Sequence, residues 1–537
     1  MTTTAINTHA PVATADTPKE AAPSRSFDVK TAFLVVIVAL LAGATQAYNM
    51  FAYPYFQDSE GTNISNVYAM TEMGTLSAYT YGYEESPLGG LMITAWTEAV
   101  GGLDAFGFSG NTGRALMLGI HVVSVMLIFG IAKKVTNSNL AAIISALVFA
   151  FSPLVTVLQR RVLLDNLMLM WLLAATYSSV GPNRHLTHYL SSAIFFAVAV
   201  LCRGSALFFL PAFTFIITRN ADPHHRRFAH SLWLTLSISF ISIYPLYAAM
   251  RLELFPQGWW IFSGNYPHVS LYESLLDRGP DTGRFLDLGS NLMPSFNLWT
   301  NIGNAGADPL LVFGGLICAV FVVLLSVKRV ELRPIVALLA AYSAYLLVGG
   351  RVVHSDAIPL LALLALCVGI FIAAVVRWLI KHTPNVVLKT VVGLVALTAM
   401  LYPFVAYYAS VVYIYTNDQT TEQLEAISWV LEQLPEDSVV VADNYGFVEL
   451  REDLPNAHYY WKVDTDPDIT YTALDGDWCN IDYIVSTPQL LSDVETFELG
   501  LMSSALENSN LLRTYENNGW PVEIRRVSKQ YCDVELS

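Results

Sequence analysis

The sequence predicts an all-α polytopic membrane bundle of about eleven transmembrane helices, followed by a small extracytoplasmic α/β unit at the C-terminus. Three observations carry this prediction. The chain is 54% hydrophobic and only 14% charged, where soluble domains carry about a quarter charged residues. Its basic residues collect in alternate short connections. After Tyr415 the long apolar runs stop and short strand-like ones begin.

Crossing a bilayer takes about 20 mainly apolar residues per helix. Runs of that kind lie at about 31–50, 113–132, 139–157, 163–179, 188–202, 204–218, 230–250, 309–327, 334–350, 357–378 and 390–413. The fifth and sixth are short and nearly continuous. Residues 1–29 are rich in Ala, Thr and Pro and read as a disordered cytoplasmic tail. The first apolar run starts late and is long, which argues against a cleaved signal peptide. The domain boundaries that follow are 1–29, 30–413 and 414–537.

With the N-terminus inside, the inner segments hold 15 Lys and Arg against 5 Asp and Glu, and the outer segments 14 against 39. The basic inner connections are Lys133-Lys134, Arg219 with Arg226-Arg227, Lys328-Arg329 with Arg333, and Lys381 with Lys389. This is the positive-inside pattern. It predicts a multi-pass plasma-membrane protein with a cytoplasmic N-terminus and an extracytoplasmic C-terminus. The acidic exterior excludes nucleic acid as a partner. Of the five cysteines, Cys202, Cys318 and Cys367 fall in spans. Cys479 and Cys532 fall outside, where oxidation is permitted, and the sequence leaves their pairing open.

The first outer loop, 51–112, opens on Tyr53-Pro-Tyr-Phe-Gln-Asp58-Ser-Glu60-Gly61-Thr62. Carboxylates at a membrane edge must be hydrated, paired with cations or used in chemistry. The plain alternative is a solvated turn. Asn63–Met73 and Pro87–Val100 read as amphipathic helices, with Tyr79, Tyr81, Tyr83 and Trp96 at headgroup level. Asn63-Ile-Ser65 is formally a glycosylation sequon. The next outer turn carries Arg160-Arg161 and Asp165-Asn166. Arg161 and Asp165 are four apart and could pair on one helix face. Arg203 and Arg351, with His354 and Asp356, mark two further outer turns. His121 is the ionisable group left inside a span. The loop 251–308 is rich in Trp, Tyr, Gly and Pro, which suits sugar rings, lipid headgroups or simple rest on the interface.

Beyond Tyr415, Thr421–Leu434 reads as an amphipathic helix. Ser438–Asp443, Ile481–Ser486 and Val522–Val527 read as strands. No Walker loop, HExxH helix or CxxC pair is present.

Several stretches together resemble integral-membrane glycosyltransferases of the C type, including the protein O-mannosyltransferases and the lipid A aminoarabinose transferases. They are Asp58-Ser-Glu60-Gly-Thr, Tyr81-Gly-Tyr83-Glu84-Glu85-Ser86-Pro87-Leu88-Gly89, Ser152-Pro153-Leu154 with Arg161 and Leu164-Asp165-Asn166, Tyr244-Pro245-Leu246, and Pro267-His268-Val269-Ser270-Leu271. The resemblance covers about residues 30–310. Ser59 splits an acidic pair that is adjacent in the family, Arg203 stands where many relatives have lysine, and Glu84-Glu85-Ser86 replaces Asp-His-Pro.

The resemblance implies a polyprenyl-phosphate sugar donor, a glycan, lipid or protein acceptor of the cell envelope, and one inverting displacement. Asp58 or Glu60 would serve as base and Asp165 as orienter. Arg160, Arg161, Arg203 and Arg351 would hold the donor phosphate. Tyr81, Tyr83, Glu84, Glu85 and His268 would contact substrate. A divalent metal on the carboxylates is compatible with this set but not required by it, and no other cofactor is implied. The rival readings are a transporter with an outer sensory unit and a non-catalytic glycolipid-binding scaffold. The span centres lack the ionisable relays that transporters carry.

Overall fold

The computed structural model describes residues 29–83, 85–181, 185–259, 261, 270–276, 292–301, 306–348, 352–516 and 520–532. Helix is present in every one of the apolar runs. The first eight helices are α1 (Val29–Ala47), α2 (Asp58–Tyr68), α3 (Pro87–Val100), α4 (Ser109–Thr136), α5 (Asn139–Phe151), α6 (Pro153–Arg160), α7 (Leu164–Ser179) and α8 (Leu186–Cys202). Among the described residues, seven helices are long and apolar enough to cross a membrane, or eight if α5 and α6 count as one span bent by 64°. The remaining runs give shorter helices: α7 has 16 residues, α8 has 17 and Leu210–Asn220 has 11. Sixteen residues reach about 24 Å, short of a hydrocarbon core of about 30 Å.

The break between α5 and α6 has a local cause. Ser152 caps α6 through its side chain and Pro153 takes the first helical position, where a missing N–H costs nothing. The bundle centre is α4, α5, α7 and the helix His354–His382, whose apolar window is 83% buried. The helix Val386–Ser410 lies at the rim, with 6% of its window buried.

The C-terminal unit is a five-stranded sheet of order β2-β1-β3-β5-β4, with β1 Val440–Ala442, β2 Ala457–Tyr459, β3 Tyr483–Ser486, β4 Ser509–Tyr515 and β5 Val522–Val527. β1 runs parallel to β2 and β3; β5 runs antiparallel to β3 and β4. Strands β1, β3 and β5 match the sequence expectation. β2, Ala-His-Tyr, buries only its first residue and β4 is exposed along most of its length, so neither carries a clear hydrophobic signal. Cys479 and Cys532 form a disulfide.

Period-two alternation divides the sheet into two apolar layers. Val441, Ile484 and Val527 face the helices at Pro488–Thr496 and Gly500–Glu507. Val440, Ala442, Val485 and Ile524 face the helix Thr421–Gln433 together with Phe56 and Phe108 of the first loop. Burying those two rings fixes the unit onto the membrane bundle. The approach is close at Gly61, where an added Cβ would stand 2.3 Å from the backbone of Asn444 and Tyr445.

Candidate active site

The first turn of α2 sits in this junction. Gln57 is the extended residue before the helix, and its carbonyl accepts from the Glu60 and Gly61 N–H groups. Asp58 and Glu60 occupy the first turn, where the helix dipole favours negative charge. Two residues of helix rotate a side chain by about 200°, so the two carboxylates point to opposite sides. They cannot share an ion. Among the described residues no group of three or more His, Cys, Asp or Glu is placed to hold a metal. Ser59, between them, is exposed.

Glu60 faces the bundle. Arg114 Nε donates to its Oε1 at 2.8 Å and Nη2 to its Oε2 at 3.0 Å, with both side chains at most 1% exposed. The Arg114 guanidinium also lies 3.9 Å from the Phe56 ring centre. The Val162 N–H donates to Glu60 Oε1 at 3.3 Å, and Asn63 Nδ2 donates to the Val162 carbonyl at 2.7 Å. Glu60 and Asn63, one helical turn apart, therefore hold the break between α6 and α7. The sequon asparagine is buried in that contact.

Asp58 faces the C-terminal unit. Its Oδ1 accepts from the Asn444 N–H at 3.0 Å. Its Oδ2 accepts from the Tyr460 hydroxyl at 2.6 Å and from Tyr459 at 3.3 Å. Burial pushes the Asp58 carboxyl up to about 6, against the lowering effect of the Tyr460 and Asn444 hydrogen bonds. Burial, and then the charge of Asp58, hold Asp443 well above the usual carboxylate range.

The basic candidates divide. Arg160 donates to the carbonyls of Tyr48 at 2.6 Å, Thr45 at 3.1 Å and Tyr53 at 3.2 Å. It closes the C-terminal end of α1 through both terminal nitrogens, and its Nε is buried without a partner. Arg161 is 4% exposed and stands over the Tyr55 ring at 5.1 Å. Its Nε is buried without a partner, and among the described residues the side chain forms no hydrogen bond or ion pair. The expected pairing of Arg161 with Asp165 is corrected. α6 ends at Arg160, Arg161 is extended and α7 begins at Leu164, so the two are not on one helix. Asp165 pairs instead with Arg203 Nε at 3.2 Å, and Arg203 Nη1 bonds Glu85. Asp356 acts on Arg203 as a further neighbouring charge.

Tyr81 donates to the Glu85 carbonyl at 2.6 Å and meets the Tyr244 hydroxyl at 3.2 Å. Tyr83 is buried and bonds Glu253. Glu84, His268 and Arg351 lie outside the described residues. The sequence reading missed Arg114 and the partners of Asp58 at 444, 459 and 460. A cation on the acidic side of a span was a signal for Arg114. The run Tyr459-Tyr460-Trp461 was the signal in the C-terminal unit.

Residues 88–248 match the family model described as dolichyl-phosphate-mannose-protein mannosyltransferase. Among curated protein sequences nothing matches. Among solved structures, the apo oligosaccharyltransferase of Archaeoglobus fulgidus is similar at 13% identity and a TM-score of 0.58, covering 89% of this chain and 71% of that one. ArnT from Cupriavidus metallidurans bound to undecaprenyl phosphate is similar at 13% identity and a TM-score of 0.54, covering 94% of this chain and 99% of that one. The same archaeal enzyme in complex with an inhibitory peptide and a dolichol-phosphate gives 13% identity and 0.57 over 92% of this chain and 74% of that one. The chain is thus similar in sequence, over residues 88–248, to the protein mannosyltransferases, and in fold to integral-membrane glycosyltransferases of the C type, ArnT among them.

Proposed function

We propose that the chain transfers a sugar from a polyprenyl-phosphate donor to a glycan, lipid or protein acceptor of the cell envelope, in one inverting displacement. The observation that carries this reading is Arg161, a buried cation with no protein anion among the described residues. An uncompensated buried charge is costly, and a planar guanidinium suits phosphate oxygens. The family-model match over residues 88–248 supports a lipid-linked sugar donor. The archaeal and bacterial structures hold a dolichol-phosphate and undecaprenyl phosphate, and this fold would offer the same kind of carrier a groove between spans.

Asp58 accepts the proton of the acceptor hydroxyl as that oxygen attacks the anomeric carbon. The phosphate leaves with the electron pair of the broken bond, and Arg161 holds its charge. General bases work best with a pKa near the operating pH, and burial moves Asp58 that way. Glu60 is tied to Arg114 and positions the turn; through Val162 it fixes the Arg161 break to α2. Arg203, locked between Glu85 and Asp165, supports the neighbouring wall. The site lies on the extracytoplasmic side of the plasma membrane.

The test is transfer of radiolabelled sugar by the purified protein from a panel of polyprenyl-phosphate sugars into cell-envelope fractions. Transfer that Asp58→Asn abolishes supports the reading; no transfer from any donor refutes it. A cytoplasm-dependent reporter enzyme fused to the C-terminus should be silent, and activity would place the site on the wrong side.

A further inference from the structure

The hydroxyl of Tyr460 stands between two carboxylates. Its oxygen is 2.6 Å from Asp58 Oδ2 and 2.6 Å from Asp493 Oδ2. A phenol has one proton and donates one hydrogen bond. Two ionised carboxylates at that distance would leave one facing a lone pair. The arrangement closes when one carboxyl is protonated and donates to the phenol oxygen while the phenol donates to the other. Two mirror states then exist, with the proton on Asp58 or on Asp493, and reversing the chain of hydrogen bonds interconverts them. The two ends differ in access. Asp58 and Tyr460 are buried, whereas Asp493, on the helix Pro488–Thr496, is half-buried.

We propose that Asp58, Tyr460 and Asp493 form a proton relay that carries the acceptor's proton from the buried base to the edge of the C-terminal unit. The inference rests on the glycosyl-transfer reading of Asp58. The state competent for transfer is the one in which Tyr460 donates to ionised Asp58 and Asp493 donates to the phenol oxygen. During transfer Asp58 takes the acceptor's proton and Asp493 gives its own to water. The chain then reverses: the proton on Asp58 moves to Tyr460 and that of Tyr460 to Asp493. One proton enters and one leaves, and the competent state is restored. The titratable groups facing Asp58 are Tyr460, Tyr459 of β2, Asp493 and Asp443. The charged ones are acidic, which favours keeping one proton in the group. Asp443 Oδ2 accepts from the Thr487 hydroxyl and so stands outside the relay. Tyr460 and Asp493 touch no reacting atom; their role is to return Asp58 to its ionised form.

The test uses the full-length enzyme in nanodiscs, with Asp493→Asn, Asp493→Glu and Tyr460→Phe beside wild type. Infrared difference spectra between wild type and Asp493→Asn should contain a protonated-carboxyl band present only in wild type, since the amide can donate to the phenol oxygen without a shared proton. In transfer assays Asp493→Asn should lower kcat by about tenfold or more, less than the hundredfold of a lost base. Donor KM should hold, the solvent isotope effect on kcat should rise, and the pH profile should shift. Asp493→Glu should recover most of the rate, and a thermal melt controls for folding of Tyr460→Phe. An active wild type without the band overturns the relay, as does Asp493→Asn with the wild-type rate, pH profile and isotope effect. A wild type that shows the band but transfers no sugar instead refutes the reading of Asp58 on which the relay stands.

Discussion

Replacing Glu60 by Gln tests whether this carboxylate is structural. Glu60 and Arg114 are at most 1% exposed and joined by two hydrogen bonds of 2.8 and 3.0 Å. The amide preserves shape but not charge. One of its terminal atoms becomes an N–H donor facing an arginine that has only donors, so at least one contact turns repulsive. Arg114 keeps the Met50 carbonyl at 3.2 Å as a partner, which does not neutralise it. Breaking a buried pair by removing one partner costs about 3–5 kcal/mol, because the remaining charge is uncompensated. Glu60→Gln should lose about that much, and so should Arg114→Met. The double variant Glu60→Leu with Arg114→Met should recover most of the loss, since an apolar replacement of a buried pair is often near neutral. The assay is a thermal and denaturant melt of each variant in detergent or nanodiscs, with Glu60→Leu and Arg114→Met as the single arms of the double-mutant cycle. A Glu60→Gln protein as stable as wild type, or two losses that simply add in the double variant, would refute the reasoning.

Asp58→Asn should lower turnover by about a hundredfold or more while donor binding changes little, because a base acts mainly in the transition state; sugar transfer and donor titration measure both. Since Asp58 must be ionised to act and burial places its pKa at about 6, the wild-type rate should fall as pH drops through about 6 and level off above it, and a flat profile from pH 5 to pH 7 would refute the assignment. Arg161→Ala should weaken donor binding far more than Arg251→Ala, because Arg251 is 54% exposed and already paired with Glu253; equal donor affinity in both variants would remove the phosphate role. Gly61→Ala should loosen the C-terminal unit, since its Cβ would meet backbone at 2.3 Å; faster amide exchange across 440–460 is the expected readout, and unchanged exchange would contradict the close approach.

Hydropathy was sufficient to find the long helical runs of the bundle, because burial in lipid leaves a long local signature, but the short helices Leu271–Leu276 and Leu292–Thr300 fall in a stretch read as loop. Among the described residues seven or eight of the long runs have the length and hydropathy of a span. A hydropathy window averages over a break such as Ser152-Pro153, and helix length, which decides spanning, depends on where the caps fall. Strands β1, β3 and β5 were legible because β1 and β3 are short continuous apolar runs and β5 alternates. β2 and β4 were not, because a strand that buries only its first residue and an exposed edge carry little of either pattern.

The sequence by itself determined the bundle, the acidic turn of the first loop and the presence of cations near it. Tertiary structure decided what each charge does. Asp58 and Glu60 look equivalent in sequence, but helix rotation sends one to Tyr460 and the other to Arg114. Arg160 and Arg161 are neighbours, yet the helix ends between them, so one donates to carbonyls and the other, among the described residues, forms no hydrogen bond. Asp165 finds Arg203 at the end of the neighbouring helix α8 rather than Arg161 nearby in sequence. Spacing along a chain fixes direction only while one regular element continues. At a helix end the packing of other elements sets the partner, and these partners lie tens to hundreds of residues away.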